Sequence, residues 1–151
     1  MNRHATLKRS ALVHSRKGFT RHTPMPRAKA TPAVPDDVRA ALAKRSGGWC
    51  EARLPGCWGR ATDPHHRVST KSGGRFGEAK VEHDRLSDLI HCCRLCHEWA
   101  TTRPYKANVL GLVLWEGDNP AMKPVLLLAH DPEPVYLDDA GGWHRFEVAD
   151  T

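Results

Sequence analysis

Three histidines and four cysteines carry the chemical potential of this chain. His65 and His66 are adjacent, directly after Pro64, and His97 follows the pair Cys93-x2-Cys96. Cys50 and Cys57 lie upstream with six residues between them. Thiolates suit Zn²⁺, and ligand pairs from two knuckles close a tetrahedral sphere. The four cysteines are therefore expected to hold one structural zinc ion. The other reading is a thiol redox pair within Cys92, Cys93 and Cys96. A redox CxxC usually opens a helix after a βαβ strand, and the sequence shows no such unit. Cys92 is the spare thiol, and it replaces Cys93 as ligand if the register differs. The histidines remain for a second site. An imidazole that titrates near neutrality can take a proton from water at physiological pH. An imidazole pair favours Mn²⁺, Ni²⁺ or Zn²⁺ over Mg²⁺, although Mg²⁺ is the abundant cellular ion. Asp63 can add an oxygen ligand or simply form a turn before Pro64.

The elements that must position these residues can be read in outline. Asp36 and Asp37 suit a helix start, and Val38, Ala41, Leu42 and Arg45 follow at helical spacing, the Arg45 stem closing the apolar stripe. Gly47-Gly48 ends that helix, so it spans 36–46. Residues 50–63 read as a knuckle, 65–70 as a short strand, and Ser72-Gly73-Gly74 as the turn of a 65–75 hairpin. A second helix is expected from Cys93 to about Thr102, stopped by Pro104, then a helical turn over 105–110. Leu112–Trp115, Pro124–Ala129 and Pro134–Leu137 look like short strands. Histidines on successive strand positions face opposite ways, so both serve one site only if the backbone bends at Pro64.

Charge is unevenly spread over the 151 residues. Residues 1–35 hold eight Lys/Arg and no acid, so the other 116 carry +6 less +8, that is −2. Such an arm suits a polyanion, nucleic acid above all, and is expected to be disordered over 1–34 when free. Arg67, Lys71 and Arg75, around the proposed hairpin, are candidate phosphate contacts. No element reads as a recognition helix, which predicts weak sequence preference. His83 and His91 read as ordinary surface or satisfied histidines, and the five tryptophans as core or knuckle packing. No run is apolar enough for a signal peptide or a membrane span, which predicts a cytoplasmic protein with reduced thiols.

The tract from Gly47 to Ala100 resembles the HNH endonuclease family. His65-His66 matches the family's first element and Cys93-x2-Cys96-His97 its last, while Asp88 stands where the family has Asn. The resemblance implies an α+β fold. Its HNH core would be a ββα-metal (His-Me) finger, a hairpin and a helix with a metal between them, stapled by the four-cysteine zinc site. The domains would be a basic arm over 1–34, the nuclease domain over 35–110 and a β-rich extension over 111–151. It implies His66 as general base and His65 and His97 as ligands of a catalytic Mg²⁺, Mn²⁺, Ni²⁺ or Zn²⁺. Asp88 would take the place of the Asn that fixes the hairpin loop through backbone hydrogen bonds. The substrate implied is double-stranded DNA, cut to 5′-phosphate and 3′-hydroxyl ends. The tail resembles small phage and prophage HNH proteins, which implies a bacterial host cytoplasm and proximity to packaging (terminase) proteins. The alternative is a zinc-stapled DNA-binding module without cleavage.

Overall fold

A computed structural model describes residues 33–69 and 78–145, the side chains of 78–80 excepted. The residues up to 32, the Ser72-Gly73-Gly74 turn, and Lys71 and Arg75 lie outside the described residues. The architecture is mixed α+β with small antiparallel sheets. Helix α1 spans Asp36–Ser46, the span expected from the sequence. Gly47 adopts φ +59°, and the Gly48 N–H returns to the Ala43 carbonyl at 3.2 Å. This left-handed cap satisfies the last carbonyls and turns the chain into Trp49-Cys50. Val34, placed at the end of the arm by sequence, is instead buried with Leu42 and Leu89, and Val38 and Leu86 pack against them.

Strand β1 (Asp63–His66) pairs antiparallel with β2 (Leu89–Cys92), with His65 opposite Ile90 and His66 opposite Leu89. The described partner of β1 thus lies more than twenty residues downstream, and residues 70–75 of the expected 65–75 hairpin lie outside the described residues. Leu89, Ile90 and Cys92 are all buried, and pairing with β1 satisfies the backbone of this apolar strand in the core. Helix α2 (Glu78–His83) lies within this connection. Directly after β2 come α3 (Arg94–Thr102) and α4 (Pro104–Val109), divided at Arg103 as Pro104 requires. Helix α3 packs on both β1 and β2.

The C-terminal segment is less regular than its sequence suggests. Leu112–Trp115 contributes a single bridge, Leu114 to Val68, and Val125 pairs with Val135 alone. The remaining regular pieces are a 3₁₀ turn at Pro120–Met122 and the two-residue strands β3 (Tyr136–Leu137) and β4 (Trp143–His144). Nor does this segment form a core of its own. Leu112, Val125, Leu127, Val135 and Leu137 join one cluster with Cys50, Cys92, Cys93 and Cys96. Each buried aliphatic side chain there contributes roughly 1.5–3 kcal/mol. No described helix is long and apolar enough to cross a membrane.

Candidate metal centre and histidine site

The sulfurs of Cys50, Cys57, Cys93 and Cys96 all lie within 4.8 Å of one another. Cys57 and Cys93 are 3.7 Å apart, close to the ~3.8 Å edge of a tetrahedron with Zn–S bonds of about 2.3 Å. The four cysteines are thus placed to hold a metal ion such as zinc. The long Cys50–Cys57 gap closes because residues 49–60 fold back on themselves. Trp49 bridges Arg60, and the Cys50 N–H donates to the Gly59 carbonyl at 2.7 Å. Within the loop Arg53 takes φ +45° and Gly56 φ +84°, and the Gly59 N–H donates to the Cys57 sulfur at 3.3 Å. Cys93 caps α3 and Cys96 sits in its first turn. Cys92 is buried outside this set. Its thiol donates to Cys50, which lowers the Cys50 pKa and raises that of Cys92. A second thiol pair for redox chemistry is not set apart: Cys93 and Cys96 converge on the other two sulfurs.

Beneath the knuckle lies a buried ionic cluster that the sequence did not advertise. One edge of the Arg45 guanidinium, Nε and a terminal nitrogen, donates to the two Glu51 carboxylate oxygens at 2.7 and 2.8 Å, and the other terminal nitrogen donates to the Leu86 carbonyl at 2.8 Å. Arg45 therefore closes the α1 stripe with its charge as well as its stem. His130 Nε2 donates to the same carboxylate at 2.7 Å, and the His91 N–H at 2.7 Å. Burial alone would raise the Glu51 pKa, but the hydrogen bonds from His130 and Arg45 prevail and hold it below the usual carboxylate range. His91, read from sequence as an ordinary histidine, is half-buried and bonds Ser46 Oγ at 2.7 Å.

His65, His66 and His97 line one cavity of about 270 Å³, together with Ser69, Thr101 and Val113 among others. β1 supplies the first two and α3 the third. The His65 and His97 rings meet edge to face, centroids 5.1 Å apart. His65 is 5% exposed, and its Nε2 lies 2.9 Å from the Leu112 carbonyl. A carbonyl only accepts, so Nε2 donates and Nδ1 keeps its lone pair. Burial pushes the His65 pKa down to about 4 and also lowers that of His97. Both rings are therefore neutral near pH 7, the form that ligates metals. Among the described residues, however, only the cysteines bring three or more His, Cys, Asp or Glu ligand atoms within 4.8 Å. Asp63 raises the His97 pKa electrostatically and lies 3.7 Å from Arg94.

His66 has a different environment. Its Nε2 lies 3.0 Å from Asp84 Oδ1, and its ring stacks on His83, centroids 4.2 Å apart and 6° from parallel. Burial lowers the His66 pKa and the Asp84 hydrogen bond opposes that. His83 is buried rather than superficial. Its Nδ1 stands 2.9 Å from Asp88 Oδ2, too oblique for a hydrogen bond, and its Nε2 has no partner. His83 reads in the sequence as an ordinary histidine, and Asp84 does not stand out there, because Glu82-His83-Asp84 is a short polar run without a motif.

Two expected site residues, Asp88 and Arg67, hold backbone in place. Asp88 is buried and does not line the histidine cavity. Its Oδ1 accepts the Val68 N–H at 2.8 Å and its carbonyl accepts the Arg67 N–H at 2.8 Å. It fixes the chain after β1, and a carboxylate does so as well as an amide because only acceptors are needed. Arg67 is the larger correction. Expected as an exposed phosphate contact, it is 0% exposed. Its Nε donates to the Gly111 carbonyl, one terminal nitrogen to Ser87 and Pro120, and the other to Lys123 and Pro124. Desolvation lowers its pKa to about 10, so it stays charged at neutral pH while facing five backbone dipoles. Trp49 packs on the knuckle against Gly59 and Arg60, as expected, while Trp58, Trp115 and Trp143 are 38–67% exposed. Of the five, Trp99 packs against the main core. Comparison with protein-family models, with curated proteins and with solved structures finds no match.

Proposed function

We propose that this chain is a metal-dependent endonuclease of the HNH type that hydrolyses phosphodiester bonds of double-stranded DNA. The observation that carries the proposal is the convergence of His65, His66 and His97 on one cavity, framed by an antiparallel strand pair and the helix that follows it. A non-catalytic zinc module has no need of three histidines around a cavity. In this reading the cysteine cluster holds structural zinc and fixes the start of α3, placing His97 opposite β1. His65 Nδ1 and His97 would hold a divalent cation, with the remaining positions left to water and phosphate. When bound, that ion supplies positive charge against the charge that builds on the phosphate oxygens. His66 takes the proton from the attacking water, and the bond from phosphorus to the 3′-oxygen breaks. The ββα-metal arrangement and the phage setting, with packaging proteins as neighbours, belong to the same proposal.

A second reading is a zinc-stapled DNA-binding module. The absence of a third ligand beside His65 and His97 among the described residues favours it. Supercoiled plasmid incubated with Mg²⁺, Mn²⁺, Ni²⁺ or EDTA separates the two. Metal-dependent nicking or linearisation, lost in His66→Ala and His97→Ala, is the expected result. A folded, zinc-loaded chain that leaves the plasmid intact with every metal overturns the nuclease reading and leaves the binding module.

A further inference from the structure

We infer that Asp84 is a positioning residue for His66, fixing which ring nitrogen accepts the proton, with His83 holding the ring in plane. The inference rests on the nuclease reading for its catalytic half; its geometric half stands alone.

Asp84 is 7% exposed and lies 3.0 Å from His66 Nε2. An ionised carboxylate has no proton to donate, so Nε2 must carry one. The lone pair then sits on Nδ1, and Nδ1 makes no hydrogen bond among the described residues. A ring held by Nε2 alone could still swing about that bond. The parallel His83 ring at 4.2 Å covers one face and removes that freedom. Asp88 Oδ2 lies 2.9 Å from the His83 Nδ1. Two His–carboxylate pairs thus lie side by side, with His66 lining the histidine cavity and His83 and Asp88 outside its lining. The partner that sets the tautomer comes from the residue after α2, eighteen positions beyond the base.

In the reaction, a water proton passes to His66 Nδ1 and the water oxygen bonds to phosphorus. The bond to the 3′-oxygen breaks, and that oxygen takes a proton from solvent. The imidazolium formed on His66 is stabilised by the Asp84 carboxylate, the part an acid plays behind a general-base histidine elsewhere. Without that carboxylate the ring populates both tautomers, and the wrong one has no lone pair at Nδ1.

The test uses the full chain loaded with zinc, uniformly ¹⁵N-labelled, as wild type, Asp84→Asn and Asp84→Ala. Zinc content and a cooperative melt establish that each variant folds. Imidazole ¹⁵N shifts read the tautomer directly, with no dependence on activity. His66 is expected protonated at Nε2 in the wild type and mixed in both variants, since the Asn amide can donate or accept. Plasmid nicking should fall about 10²–10⁴-fold in kcat, the usual worth of general-base catalysis, with KM little changed. Wild-type His66 protonated at Nδ1 overturns the inference. So does a tautomer or a kcat that the Asp84 variants leave unchanged. A wild type that leaves the plasmid intact with every metal but carries the Nε2 proton refutes the nuclease reading and the catalytic half, while upholding the geometric half.

Discussion

Replacing Arg67 distinguishes a buried clamp from a DNA contact. The five N–H groups of its guanidinium meet five carbonyls, from Gly111, Ser87, Pro120, Lys123 and Pro124, at 2.8–3.2 Å. Hydrogen bonds from a charged donor contribute roughly 1.5–3 kcal/mol each, so the gross hold is on the order of 10 kcal/mol. The cost of burying the guanidinium offsets several kcal/mol of it. Arg67→Lys keeps the charge but has three donors, so at least two buried carbonyls lose their partner. At about 1–3 kcal/mol per unsatisfied group the loss is roughly 2–6 kcal/mol. That is a large fraction of the 5–15 kcal/mol typical of a domain. Urea unfolding followed by tryptophan fluorescence measures it. A phosphate contact would behave otherwise: stability would change by less than about 0.5 kcal/mol, while the salt dependence of DNA binding would drop by about one unit of slope. That pattern in Arg67→Lys would refute the clamp. Gly111→Ala tests the same junction, because Gly111 sits at φ +70° and a Cβ there collides with the Pro124 carbonyl. It should cost more than about 1 kcal/mol.

The remaining predictions concern the metal, the buried ion pair and the pH response. The purified chain should carry one zinc, and Cys57→Ser or a strong chelator should remove both metal and the cooperative melt, because metal binding here is folding free energy; an unchanged melt after zinc removal counts against a structural ion. Glu51→Ala strands the Arg45 guanidinium beneath the knuckle and should destabilise by about 3–5 kcal/mol in urea unfolding; a loss under about 1 kcal/mol would mean that water replaces the pair. His65 is held neutral by burial, its pKa lowered to about 4. The unfolded chain therefore binds a proton that the folded chain refuses. The His65 contribution is fully present above about pH 6.5 and is lost as pH falls towards 4, at up to about 1.4 kcal/mol per pH unit. The amide of His65→Asn can still donate to Leu112, and both proteins share the cysteine cluster, so the stability difference between them should change between pH 7.5 and 5. A difference that is constant with pH rejects the assignment.

Local chemistry made part of this molecule legible in advance. The helix over 36–46 was readable because its acidic start, apolar spacing and Gly-Gly stop act within a few residues. The cysteine set was readable because thiols at knuckle spacing have few alternatives. The division at Pro104 follows from proline's missing N–H. Tertiary structure decided the rest, because it depends on which segments compete for the same surface. β1 paired with β2, a buried apolar strand more than twenty residues away. Arg67 looked like any basic loop residue until the 111–124 segment folded over it and presented four carbonyls, with Ser87 supplying a fifth. His66 and His83, seventeen positions apart, became a stacked pair, and Asp84 became the partner of His66. Residue type says what a side chain can donate, accept or ligate. Whether a guanidinium meets phosphate or backbone, and which nitrogen of an imidazole stays free, is fixed by neighbours distant in sequence, through burial and the geometry of their acceptors.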